Sequence, residues 1–378
     1  MDLRQHFLLD PAVIYLNHGS FGACPRPVFE AYQEWQLQLE RQPMDFLDRT
    51  APGLMAEARA ALAEYVGCRA DDLVYFPNPT TAINMVARSL KLGTGDEILA
   101  TDHEYGAVDR TWRFICNRRR ARYIRSAIPL PIPEDEDFVE HFWSSVNEHT
   151  RVIFISHITS PTALKFPVEE LCARAREAGI MTVVDGAHAP GQIPLNLAEL
   201  GADVYTGACH KWLCAPKGAS FLYARPELQD ILEPLIVSWG WDAEQPGTSR
   251  FIDHHEWQGT RDIAAFLSVP AAIEFQHKYR WDDVRRDCIE LTIETRNRLL
   301  DIFGTAKLTG TQEWSLQMAA IELPESNQDI QRRLLEEHSI EVLVHRWHNR
   351  SFLRFSFQGY NDLADANSLI AAIQTLYT

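Results

Sequence analysis

From about residue 50 to residue 225 the chain alternates two hydrophobic rhythms. Short apolar runs of strand length, LVYF (73–76), EILAT (97–101), RVIFISHI (151–158), MTVVD (181–185), ADVYTGA (202–208) and SFLYA (220–224), each stop near a polar or small residue. Between them lie stretches such as TAINMVARSL and PVEELCARAREAG, whose apolar residues recur three and four positions apart, the spacing of an amphipathic helix. Strands that are apolar throughout predict a mainly parallel sheet covered by helices on both faces. After about residue 260 the rhythm changes. Two long helical segments (262–278 and 282–303) precede short strands around LQMAAIEL and FLRFSF, and ADANSLIAAIQTLY is again helical. The pattern predicts an α/β fold in three parts: an N-terminal arm (1–20), a large domain (21–258) built on a mixed, mainly parallel sheet, and a smaller α+β domain (259–378). No internal repeat is present.

Composition supports a folded chain and narrows its partners. With 378 residues, 46% of them hydrophobic, there is enough material for two cores without covalent staples. The net charge of −16 opposes nucleic acid and anionic membrane surfaces, which need a basic footprint. The basic cluster Arg118, Arg119, Arg120, Arg122 and Arg125 reads as a solvated helix end leading into a short strand. Seven cysteines, an odd number without CxxC pairs, read as reduced thiols. His345 and His348 flank Trp347 without an acidic third ligand, so no metal is expected there. The N-terminus carries charges where a signal peptide would be apolar, and no run reaches membrane-span length; a cytoplasmic location is the expectation.

The chemistry begins at two strand ends. In MTVVDGAH a strand-length run, apolar but for Thr182, leads into Asp185 at the carboxyl end of a buried strand, where ligands of open α/β sheets bind. In ADVYTGACHKWLCAPKG a strand leads into Lys211, set among apolar and aromatic residues before a Gly/Pro-rich turn. Burial there lowers the pKa of the amine and makes it nucleophilic toward an aldehyde. A lysine for an aldehyde and a carboxylate for a pyridinium nitrogen are together what pyridoxal phosphate (PLP) requires. The turn NPTTAIN, entering a helix at Thr80 and Thr81, offers hydroxyls and backbone N–H groups for the phosphate.

These residues, with YLNHGSFGACPRPV (15–28), RQPMDFLDR (41–49), DHEYGAVDRTW (102–112), VDGAHAPGQ (184–192), HKW (210–212), WQGTRD (257–262) and LRFSFQGYN (353–361), resemble the fold-type I, class V aminotransferase-like enzymes, and within them the isopenicillin N epimerase-like branch. The resemblance covers nearly the whole chain. It implies a Schiff base on Lys211, the pyridinium partner on Asp185, a contact near the ring oxygen on His188, and a ring-stacking aromatic at Tyr105. It further implies phosphate contacts from Thr80, Thr81 and His210, and a turn at Gly259 and Thr260 that reaches the neighbouring subunit of a homodimer with shared sites. Arg354 falls on the arginine that holds the substrate α-carboxylate, while Asn17, His18 and Trp239 fall near the substrate. Two departures stand out. Ala208 occupies a position where relatives often carry Ser or Asn, and IEVLVHRWHNRSFLRF lacks the loop cysteine a persulfide-forming desulfurase needs.

A lysine beside Cα takes the α-proton in every reaction of this class. The resemblance puts racemisation or epimerisation of an amino acid, or of a substrate containing one, first. A β-eliminating C–S lyase of the cysteine or cysteine-sulfoxide type comes next, then an aminotransferase. A PLP-binding regulator without turnover is the reading from outside catalysis, and a carboxylate-binding arginine beside the lysine and aspartate argues against it.

Overall fold

The structure, a computed structural model, describes residues 3–132, 135–309, 315–324 and 329–377. Strand β1 (Ile14–Tyr15) belongs to the N-terminal arm. The main sheet contains β2 (Leu73–Phe76), β3 (Glu97–Thr101), β4 (Arg122–Ser126), β5 (Thr150–Ser156), β6 (Met181–Gly186), β7 (Val204–Ala208) and β8 (Ser220–Ala224). Its order is β2-β8-β7-β6-β5-β3-β4, and only β8 runs antiparallel to its neighbours. The mixed, mainly parallel sheet expected from the apolar runs is therefore present.

Alternate residues of one strand feed two different cores, which is why the runs are apolar throughout instead of alternating with polar residues. In β2, Leu73 and Tyr75 join one cluster with Met55, Ala58 and Leu62 of helix Ala51–Val66. Val74 and Phe76 join the other, with Ile83 and Val86 of helix Pro79–Ser89 and Trp112 of helix Gly106–Arg119. Each such buried side chain contributes about 1.5–3 kcal/mol.

The order of strands also places the site. From β3 the chain goes out to the edge strand β4 and returns on the other side of β3 to form β5, so a crevice opens outside the carboxyl ends of β3, β5 and β6. Thr101, Ser156 and Asp185 stand at or next to those ends.

The second sheet is formed by β9 (Met318–Glu322), β11 (Leu343–Trp347) and β12 (Arg350–Ser356), antiparallel in the order β11-β12-β9. Helices Trp281–Phe303 and Leu363–Tyr377 pack with one another beside it. Strand β10 (Ile340–Glu341) pairs in parallel with β1, so the N-terminal arm is strapped to the C-terminal part of the chain.

Two details depart from the sequence reading, and a third agrees with it. The single helix expected over 262–278 is two, Ala264–Leu267 and Val269–Lys278. Pro270 lacks an N–H and crowds the residue before it, which breaks the helical ladder at that point. The strand expected over 151–158 ends at Ser156: the His157 carbonyl leaves the ladder to accept from the Phe166 N–H, and Ile158 bridges Lys165 instead. The arginine cluster divides, with Arg118 and Arg119 ending a helix and Arg122 and Arg125 on the edge strand β4. None of the seven cysteines is bridged, and among the described residues no helix is long and apolar enough to cross a membrane and no group of side chains is arranged to hold a metal.

Candidate active site

A cleft of about 520 Å³ opens at the crevice, and Asn17, Thr80, Tyr105, Asp185, His188, His210, Lys211 and Arg354 all line it. Sequence positions as far apart as 17 and 354 meet there.

Lys211 follows β7 through Cys209 and His210. Its backbone is gripped from two sides. His18 Nε2 lies 3.0 Å from the Lys211 carbonyl oxygen, and Gln276 Nε2 donates to the Trp212 carbonyl at 2.8 Å. The arm passes close enough that a Cβ on Gly22 (φ +70°) would lie 2.1 Å from the His210 carbonyl oxygen, so only glycine fits. Burial, then the nearby Arg354 guanidinium, pulls the Lys211 amine down to about 7. At neutral pH a large share of it is therefore the nucleophilic free base.

Asp185 is 4% exposed, and Ala187 N–H donates to its Oδ1 at 3.0 Å. Burial raises its pKa, while the Ala187 N–H and Lys211 act the other way. A buried carboxyl with a single protein donor among the described residues, lining the cleft, is a fit for a cationic ring nitrogen.

At the phosphate end, Asn78 caps helix Pro79–Ser89 by accepting from Thr81 N at 2.9 Å and Thr81 Oγ1 at 3.0 Å. Thr80 and the helix N-terminus face the cleft, a setting that attracts phosphate. His210 Nδ1 is held by the Ala219 carbonyl at 2.9 Å, and burial pulls the ring down to about 4, so it stays neutral.

Arg354 extends from β12 and is 3% exposed. It donates to the Ser160 carbonyl (2.6 Å), to Ser160 Oγ (3.1 Å) and to Ser20 Oγ (2.9 Å), and Ser20 in turn donates to Asn17 Oδ1 at 2.6 Å. All these partners are neutral. Burial pulls its pKa to about 10, and among the described residues no carboxylate pairs with it. A buried guanidinium oriented by neutral acceptors, with no counter-charge among the described residues, is chemically fitted to receive a carboxylate.

Other expected residues stand elsewhere in this chain. His18 is buried behind Lys211, its Nδ1 3.0 Å from Tyr360 Oη, and does not line the cleft. Thr81 is spent on the cap. Trp239 (86% exposed) and Thr260 line a separate apolar cleft with Met44, Leu47, Met55 and Trp257, and Gly259 (φ +104°) lies next to it.

Sequence reasoning missed Glu104 altogether. It is buried one residue before Tyr105 and accepts from Thr101 Oγ1 and Ser156 Oγ, both at 2.6 Å. Burial raises it to about 7 against the pull of both hydroxyls, with Asp185 adding to the rise. Ser156, whose hydroxyl binds Glu104, lies in register with Asp185 on the adjacent strand. Ser20 and Ser160 were missed too; nothing local marks a serine whose partner lies hundreds of residues away.

Comparison with known proteins identifies the family. The family model described as "Aminotransferase class-V" matches residues 14–369, and the chain belongs to that family. It is an enzyme of this PLP-dependent class, with pyridoxal phosphate as its cofactor. It is 36% identical to the isopenicillin N epimerase of Amycolatopsis lactamdurans over 99% of this chain and 97% of that one. A probable chloroplastic L-cysteine desulfhydrase of Arabidopsis thaliana is 27% identical over 97% of this chain and 83% of its own length. Among solved structures, C-DES, a cystine C–S lyase, in a form with glycine covalently linked to its PLP, superposes with a TM-score of 0.85 at 21% identity over 99% of both chains, which shows the fold.

Proposed function

We propose that this enzyme inverts the configuration at Cα of an amino acid, or of a substrate that contains one. The observation that carries the reading is Arg354, a buried guanidinium without an acidic partner among the described residues, in the same cleft as a lysine whose amine is about half free base near pH 7. Relatedness to isopenicillin N epimerase over nearly the full length supports inversion as the outcome. The cofactor, when bound, supplies an electron sink for the pair left at Cα when the α-proton departs.

In this reading Arg354 takes the substrate α-carboxylate in its two-pronged grip and fixes Cα beside Lys211. Lys211 Nζ removes the α-proton. Asp185 keeps the ring nitrogen protonated, and Thr80, the helix N-terminus and His210 hold the phosphate. Inversion needs a proton from the opposite side. Asp185, His188, His210 and Arg354 are committed to other contacts, which leaves Tyr105 and Glu341 among the titratable groups lining the cleft. Tyr105, whose phenol interacts electrostatically with Arg354, is assigned this role together with ring stacking.

The test is an amino-acid panel incubated with enzyme in deuterated water. α-Deuteration with loss of chirality supports inversion. Pyruvate with a released thiol or sulfenate favours the second reading, a β-eliminating C–S lyase, for which the desulfhydrase relative speaks. Within the first outcome, Tyr105→Phe is expected to keep single-sided α-proton exchange and lose inversion; inversion at the normal rate would remove Tyr105 from that role.

The proposal includes a homodimer. Trp239 and Met44, 86% and 66% exposed, together with Thr260, present an apolar cleft away from Lys211, and a second copy is its expected cover. A monomer in sedimentation at working concentration would refute this.

A further inference from the structure

We propose that Trp212 is a positioning residue: its indole N–H decides which nitrogen of His188 carries the proton, and so delivers Lys211 as a free amine. The inference rests on the cofactor chemistry of the site and not on which reaction follows.

Trp212 Nε1 donates to His188 Nδ1 at 3.3 Å, and His188 Nε2 lies 3.1 Å from Lys211 Nζ. All three groups form a chain along a buried path, since Trp212 is fully buried and His188 is 2% exposed. An indole N–H can only donate. His188 Nδ1 is therefore an acceptor and carries no proton. A neutral imidazole has one N–H, so that proton sits on Nε2 and points at Lys211. An ammonium at Lys211 would meet Nε2–H donor to donor; the contact is a hydrogen bond only if Nζ offers its lone pair.

The surroundings enforce the neutral ring. Burial first, then Lys211, Arg354 and His210, hold His188 well below its usual pKa. Asp185 is the one carboxylate acting on Lys211, and it opposes a depression set by burial and Arg354. A protonated His188 would also place a second donor against the Trp212 N–H. The tryptophan immediately after the lysine thus acts on it through a histidine 23 residues away in sequence.

Trp212→Phe keeps a buried ring and removes the donor. His188 Nδ1 is then free to take the proton, Nε2 becomes an acceptor, and the ammonium form of Lys211 is favoured. The measurement is the rate at which PLP attaches covalently to enzyme stripped of cofactor, followed by the long-wavelength band that borohydride bleaches, as a function of pH. If the midpoint rises by about one unit, the free-amine fraction at pH 7 falls from about a half to about a tenth, so attachment at that pH slows about fivefold. An unshifted midpoint in the folded variant overturns the coupling. A second measurement needs no variant to fold: nitrogen-15 spectra of histidine-labelled holoenzyme, with the His188 signals identified by their absence in His188→Asn. A proton on Nε2 supports the assignment, and a proton on Nδ1 overturns it.

Discussion

Replacing Arg354 with glutamine should damage substrate binding far more than folding, and the size of the effect follows from what surrounds the guanidinium. Burial lowers its pKa from 12.5 to about 10. At about 1.4 kcal/mol per unit, holding the charge in the empty site costs on the order of 3 kcal/mol. A carboxylate that docks there offsets that penalty through two charge-assisted hydrogen bonds of about 1.5–3 kcal/mol each, part of which a neutral glutamine retains. The variant should therefore lose about 3–4 kcal/mol of substrate affinity, roughly 100- to 1,000-fold in kcat/KM, and mainly through KM. Two assays check it. Steady-state kinetics on the preferred amino acid should show the KM effect, and thermal unfolding with increasing substrate should raise the Tm of the wild type but barely move that of Arg354→Gln. A variant KM within threefold of wild type would refute the role of Arg354 as the carboxylate anchor.

Other residues make equally checkable claims. Lys211→Ala should abolish the borohydride-sensitive band, and an unchanged band would sink its assignment; Asp185→Asn should still bind PLP but turn over at least 100-fold more slowly, so near-normal turnover would exclude the ring-nitrogen role. Glu104 is raised from 4.5 to about 7, so the folded state holds its proton more tightly and loses that advantage as pH rises from about 4.5 through 7. Glu104→Gln, which cannot ionise, should be more stable than wild type at pH 8 by about 2–3 kcal/mol and show little difference at pH 4.5, by denaturant unfolding. Burial pulls His18 and His157 from 6.5 down to about 3 each, so the unfolded chain takes up protons first as pH falls below 6.5. Each should remove about 2 kcal/mol of stability by pH 5; a wild-type unfolding midpoint that is flat between pH 7 and 5 would contradict this.

Much of this site was legible because its main residues end strands that the hydrophobic pattern marks. Asp185 ends a buried run of Met181, Thr182, Val183 and Val184, three of them apolar, and Lys211 follows the next strand by three positions; a parallel sheet brings such carboxyl ends together. Arg354 could be placed only by resemblance, since nothing in LRFSF itself announces a carboxylate site. The serines that orient it, the indole that orders His188, and the hydroxyls that bind Glu104 are contacts made by the fold between separate segments, and they leave no period in the chain. The hairpin of β11 and β12 was half seen: FLRFSF is apolar enough to read as a strand, whereas LVHRW is mostly half-buried and resembles a loop.

The tie at Arg354 has a consequence for how the protein comes into being. Asn78, Asp185 and Lys211 lie within one stretch of 134 residues, all of which has been synthesised well before residue 354 appears. The guanidinium binds to Ser160 and Ser20, 194 and 334 residues earlier, so its setting closes only when the last strand has docked and the arm has folded back. A growing chain can therefore assemble a cofactor pocket that as yet has no anchor for an amino acid. The nascent enzyme would acquire its aldehyde-binding lysine first and its grip on substrate last.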